Sequence, residues 1–226
     1  MYPDNIKLVT YSKNEDKLNC ITHAAGVVLA AAVLAVCLAN AVHAGGANKI
    51  ISALVYGISM VILYGASAVY HGLPAGNLKK IARVIDYSMI YILIAGTATP
   101  CALIGLYEKD RGHALFVFYF AWGCAALGIA MSVLFFEKTK KLRIMLYIGE
   151  GVVMFASVYP IVDLIDKRAL GLLMIGGLVY TTGMLFLRLG KKREYAHTVF
   201  HLFVLAGSLL HFYVMVKYIF VESVLN

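Results

Sequence analysis

The chain has 226 residues, of which 62% are hydrophobic and only 14% charged, with a mean hydropathy of +0.82 and a formal net charge of +8. Soluble domains carry about a quarter charged residues, so the composition excludes a disordered chain, a collagen, a secreted disulfide scaffold and a nucleic-acid-binding domain. It predicts an all-α polytopic membrane protein whose basic residues, clustered between apolar runs, report topology and not a polyanionic partner.

In chain order, residues 1–18 form a polar segment containing Asp4, Glu15 and Asp16. The apolar run that follows is about twice as long as a signal-peptide core, so no cleaved leader is expected. A bilayer core needs about 20 apolar residues per helix. Cutting the sequence at charges, Gly and Pro gives seven predicted spans at 20–42, 50–71, 84–107, 114–136, 144–165, 169–189 and 196–221. The connections are short, which predicts one seven-transmembrane helix bundle over 19–226 and no second domain. Cys20, Cys37, Cys101 and Cys124 lie in or at the edge of apolar runs with no C-x-x-C spacing, as expected of packed thiols. Pro100 and Pro160 fall inside spans three and five and should bend them.

Cytoplasmic loops retain an excess of Lys and Arg. One set of span ends holds fourteen of them: Lys7, Lys13, Lys17, Lys79, Lys80, Arg83, Lys138, Lys140, Lys141, Arg143, Arg188, Lys191, Lys192 and Arg193. The other set holds six: Lys49, Lys109, Arg111, Lys167, Arg168 and Lys217. The predicted protein is therefore a multi-pass component of the cell membrane with its N-terminus cytoplasmic and its C-terminus external.

Polar or ionisable groups at membrane depth are costly and mark function by default. They are Asn19 and His23 in span one, Ser67 and His71 in span two, Asp86 in span three, Glu150 and Asp163 in span five, and His197, His201 and His211 in span seven. Asn19, His23, Ser67, His71, Asp86, His197 and His201 all lie within about two turns of the predicted cytoplasmic ends. His197 and His201 are four residues apart, which puts both imidazoles on one helix face. Ser67 and His71 repeat the spacing. Three imidazoles with an open fourth position form the ligand set of a catalytic zinc, with Asp86 holding or deprotonating the water and Ser67 one turn from a ligand. The plainer alternative is that these histidines hydrogen-bond neighbouring helices.

The remaining groups have their own readings. His23 is a fourth imidazole, a partner of a ligand, or part of an interfacial capping arrangement with Asn19. His211 lies about 15 Å from His201 along the helix axis, too far to share a metal, and reads as a packing residue. Glu150 and Asp163 read as helix contacts satisfied by partners, with an ion path as the alternative. His43 and His113 sit at the external ends and read as solvated.

The chain resembles the hemolysin III family, the bacterial branch of the progestin and adipoQ receptor group that includes adiponectin receptors. The resemblance rests on the stretch from Asn19 to Gly26, on Ser67-Ala68-Val69-Tyr70-His71, on Asp86 to Pro100, and on His197 through His211-Phe212. It implies that His71, His197 and His201 ligate zinc, with Asp86 and Ser67 on the metal-bound water. It also implies a metal-dependent hydrolase acting on a membrane lipid amide or ester, ceramidase-like in chemistry. The other functions linked to the group are a non-enzymatic sensor or regulator of lipid homeostasis with a structural zinc, and a hemolysin-like cytolytic protein. A chain this apolar has no soluble state from which to attack a membrane, which weighs against the last.

Overall fold

The computed structural model describes residues 3–158, 166–190 and 193–221. Every regular element among them is helical: α1 (Lys13–Ala44), α2 (Ala47–Gly72), α3 (Asn77–Pro100), α4 (Arg111–Phe135), α5 (Lys140–Val158), α6 (Lys167–Leu189) and α7 (Ala196–Val214). Six helices are long and apolar enough to cross a membrane, namely α1, α2, α3 with its extension to Leu106, α4, α6, and α7 with its extension to Val221. The described part of α5 begins at Lys140, Lys141 and Arg143 and does not reach that length of uncharged sequence. Pro160 and Asp163, with the end of predicted span five, lie outside the described residues.

Helix limits follow local chemistry. α1 starts at Lys13, ahead of the predicted start at residue 20, because the Ser12 side chain accepts from the Glu15 N–H and caps the first turn. The carboxylates of Glu15 and Asp16 then suit the positive helix start. Gly45 ends α1 at φ 70°, a conformation that favours glycine. Asp110 caps α4 through the His113 N–H and also meets the His113 Nδ1 at 2.9 Å, so the predicted solvated histidine is part of a cap. At Pro100, which lacks an N–H, α-helical bonding gives way to a wider π-helical turn over Cys101–Leu106.

Packing runs mainly from α1 to α2, from α2 to α3 and from α6 to α7. Ala30, Val33, Cys37 and Ala41 of α1 meet Ala53, Tyr56, Met60 and Tyr64 of α2 in the main core. Small residues allow this closeness; a Cβ on Gly57 would fall 2.7 Å from the Leu34 Cα. Deeper in the bundle, Tyr64 donates to Ser208 at 2.6 Å and Tyr180 meets the same hydroxyl at 2.7 Å, tying α2, α6 and α7 together. The outward faces are apolar, with Val28, Val69, Leu134 and Leu178 all more than half exposed. An apolar exterior of this extent requires lipid and not water. All four cysteines are free thiols.

Candidate metal centre

Antiparallel connections bring the end of α2 and the start of α7 to the same end of the bundle, beside the first turns of α1 and α3. His71 Nε2 and His197 Nε2 are 3.2 Å apart, and His201 Nε2 and His197 Nε2 are also 3.2 Å apart. One nitrogen from each of the three imidazoles lies within 4.8 Å of the others, and all three residues are buried. Two nitrogens bound tetrahedrally at about 2.05 Å from one zinc would be separated by about 3.3 Å, close to both short distances.

The outer nitrogens settle the tautomers. His71 Nδ1 lies 2.9 Å from Asp16 Oδ1, and a carboxylate can only accept, so the proton is on Nδ1 and the Nε2 lone pair points inward. His201 Nδ1 faces the Asn19 carbonyl at 3.2 Å and the Thr22 hydroxyl at 3.1 Å, which places its proton in the same way. Both inward lone pairs are aimed at His197 Nε2, which carries at most one proton. A cation satisfies all three nitrogens where one proton does not, so the donor set fits a metal ion. A carboxylate behind a ligating imidazole is also the usual support for a metal site.

The supports come from several helices. Asp16 Oδ2 accepts from Lys79 Nζ at 2.7 Å, linking the α1 carboxylate to α3. Asn19 Oδ1 accepts from the Thr198 hydroxyl at 2.6 Å and fixes α1 against α7. Glu15 is buried beside the first turn of α7, which has no side-chain cap of its own. Tyr11 lies over the pair, its ring centroid 5.1 Å from that of His197 and 5.5 Å from that of His71. Burial pushes the Tyr11 phenol above its ordinary pKa, so it remains a neutral hydroxyl.

A cavity of about 30 Å³ adjoins the histidines and is lined by Ser67, Asp86, His23, His197 and His201, with Leu63, Tyr87, Ile90, Leu187, Phe200 and Val204 completing the wall. The Ser67 hydroxyl is directed at the Asp86 carboxylate. This arrangement brings an acceptor, a hydroxyl and three imidazoles around a space that holds about two waters.

The other sequence-selected residues are placed as follows. His23 stacks on His201 with centroids 3.5 Å apart, and neither of its ring nitrogens has a partner among the described residues. It lies against the cavity, outside the group of three converging imidazoles. His211 Nε2 meets the Leu173 carbonyl at 3.1 Å, a packing role away from the cluster. Glu150 departs from expectation: it is buried, and neither carboxylate oxygen has a hydrogen-bond partner among the described residues. Sequence reasoning missed Asp16, Glu15 and Tyr11. The first two stand one turn and two turns before Asn19 and His23 on one helical face, a periodicity that would have exposed them had α1 been extended to Lys13.

Fold and site together define a helical membrane protein with a buried three-histidine group able to hold a metal ion. The family model for haemolysin-III related proteins matches residues 11–212, and the chain belongs to that family. It is 33% identical to the hemolysin-3 homolog of Bacillus subtilis (strain 168) over 208 residues, 92% of this chain and 96% of the relative. It is 32% identical to hemolysin-3 of Bacillus cereus over 211 residues, 93% and 94% of the two chains. The human monocyte to macrophage differentiation factor is 27% identical over 211 residues, 91% of this chain and 85% of that one. No solved structure matches the chain significantly.

Proposed function

We propose that this protein is a zinc-dependent hydrolase of the cell membrane that cleaves an amide or ester bond of a membrane lipid. In this reading α5 completes a seven-span domain over 19–226, behind the polar 1–18 segment. The N-terminus is cytoplasmic, the C-terminus external and the metal centre near the inner leaflet, following the Lys and Arg asymmetry of the loops. The observation that carries the reading is the convergence of His71, His197 and His201 beside a cavity lined by Asp86 and Ser67.

His71, His197 and His201 would hold the metal, which when bound supplies Lewis acidity and lowers the pKa of a coordinated water to about 7. Asp86 accepts the proton that the attacking water gives up and later returns it to the leaving group. Ser67 donates to the carbonyl oxygen as negative charge develops there. Asp16 and the Asn19 carbonyl hold His71 and His201 in the tautomer that points the Nε2 lone pair inward. The apolar wall from Leu63, Ile90, Phe200 and Val204 excludes bulk water and suits an acyl chain.

The test is zinc-loaded protein incubated with a panel of acylated lipids, with release of fatty acid measured. Asp86→Asn should lower turnover by about 10²–10⁴-fold while leaving zinc content unchanged. A second reading has one observation in its favour: a cavity of about 30 Å³ is smaller than a lipid carbonyl with its substituents. Under it the metal is structural and holds α2 to α7 in a lipid sensor, and Asp86→Asn leaves function intact. Wild type indistinguishable from Asp86→Asn on every lipid removes the hydrolase reading.

A further inference from the structure

At the same end of the bundle lies a second cavity, of about 50 Å³, between the starts of α3 and α5 and the end of α6. Its polar lining is Arg83, Lys140, Arg143 and Arg188, with Tyr87 and Tyr147, and among the described residues no carboxylate contributes to it. Four cations around one space repel one another unless something negative sits among them.

Two of the cations are deeply buried. Arg143 is 2% exposed and Arg83 3% exposed, and the Nε of each has no hydrogen-bond partner among the described residues. Both guanidinium groups rest on the same two rings. Arg143 lies 4.1 Å from the Phe136 centroid and 5.5 Å from that of Tyr87, and Arg83 lies 5.1 Å and 5.5 Å from the same pair. The hydrogen bonds of Arg143 go to neutral acceptors, the Phe136 carbonyl at 2.6 Å and the Thr139 hydroxyl at 2.8 Å. The nearby carboxylate, Glu137, is shared among Arg83 at 3.5 Å, Lys140 and the Lys7 N–H, and makes no ion pair with Arg143.

Burial of a positive group with only neutral partners is costly. Rigid stacking on aromatic rings with an N–H left over is the arrangement that recognises a planar or tetrahedral oxyanion. Basic pockets between membrane helices take phosphorylated headgroups. About 10–15 Å³ holds one water, so a cavity of about 50 Å³ has room for several oxygen atoms. Exposed Arg188 at the rim and half-buried Lys140 give the ligand a charged entrance.

We propose that Arg83, Arg143, Lys140 and Arg188 form a phosphate-binding site that takes the headgroup of an anionic phospholipid or free phosphate. The site is separate from the histidine cluster, although Tyr87 and Leu187 line both cavities. The proposal goes beyond the hydrolase reading and does not depend on it.

The experiment uses the full chain in neutral detergent, titrated with phosphatidylglycerol, phosphatidylcholine or inorganic phosphate, and follows the thermal unfolding midpoint together with lipid retained in native mass spectrometry. Phosphatidylglycerol should bind saturably and about tenfold or more tighter than phosphatidylcholine. Each of Arg143→Gln and Arg188→Gln should weaken it roughly tenfold. Stabilisation by phosphatidylglycerol without stabilisation by phosphate assigns the site to a lipid headgroup; equal stabilisation by both assigns it to the free anion. Because Arg143 is buried and its Gln variant can fail to fold, exposed Arg188→Gln and charge-preserving Arg143→Lys keep the test decisive. Asp86→Asn should bind phosphatidylglycerol as wild type does, which separates this site from the proposed chemistry. Equal binding of both lipids with no effect of phosphate, or Arg188→Gln and Arg143→Lys both binding as wild type, overturns the proposal.

Discussion

The histidine cluster and the basic pocket occupy one end of the bundle and share two wall residues, yet they leave opposite kinds of polar group unsatisfied. At the cluster, inward lone pairs from His71 and His201 converge on His197 with too few protons among them. At the pocket, guanidinium N–H groups converge with too few acceptors. Each deficit is created by rigid support from outside: Asp16 and the Asn19 carbonyl fix the imidazoles, and Phe136 and Tyr87 fix the guanidinium groups. The contrast teaches that what a buried polar site lacks, once its neighbours are accounted for, specifies the sign of what it binds.

The largest effect should come from removing a nitrogen from the cluster. Wild type purified without chelators should contain about one metal ion per chain. His201→Ala should lose it, with a fall in the unfolding midpoint that added metal does not reverse, since the ion stabilises only the state that binds it. Elemental analysis showing equal metal in both proteins would end the distinction between the two regions.

A smaller effect separates the support from the ligands. Asp16→Asn leaves three imidazoles in place but weakens the acceptor that fixes the His71 tautomer, and also leaves Lys79 without its carboxylate partner. Metal affinity in a competition titration should fall by about 10–100-fold. An unchanged affinity would show that the Asp16 contact does not orient the ligand.

The smallest effect concerns Glu137, the carboxylate that pairs with Arg83 and Lys140 outside the pocket lining. Burial raises the pKa of Glu137, but the hydrogen bond from Lys140, the Lys7 N–H and the charge of Arg83 together lower it below the ordinary carboxylate range. The stability it contributes is therefore complete above its unfolded-state pKa, about 4.3, and is lost as the pH falls through the lower folded value. Because the side chain is 21% exposed, Glu137→Gln should lower the midpoint at neutral pH by only about 2 °C, with the gap closing in acid. A gap that widened in acid would reverse the sign of this interaction.

The cluster was legible in the sequence because helical spacing and span polarity are both simple rules. His197 and His201 share a face, even-numbered spans return to the starting side, and Ser67, His71 and Asp86 fall at matching depth. Asp16 was not legible, because a carboxylate in a polar leader reads as solvated until the helix is known to begin at Lys13. Arg83 and Arg143 were counted only for topology, since a basic residue near a span end usually carries its charge out to water. That both turn inward onto Phe136 depends on the packing of α3 against the α4–α5 connection, which no local pattern encodes. The unpartnered carboxyl of Glu150 likewise depends on which faces surround it.

Asp16 and Asn19, one turn apart on α1, hold two different helices: Asp16 meets His71 of α2, and Asn19 meets Thr198 and His201 of α7. The angular phase of the two α7 imidazoles is thus referenced to α1 as well as to the packing on α6. A single insertion between Asp16 and Asn19 would turn the two anchors by about 100° relative to each other and put α7 out of phase with α2. Natural insertions and deletions should accordingly be absent from that short stretch of α1.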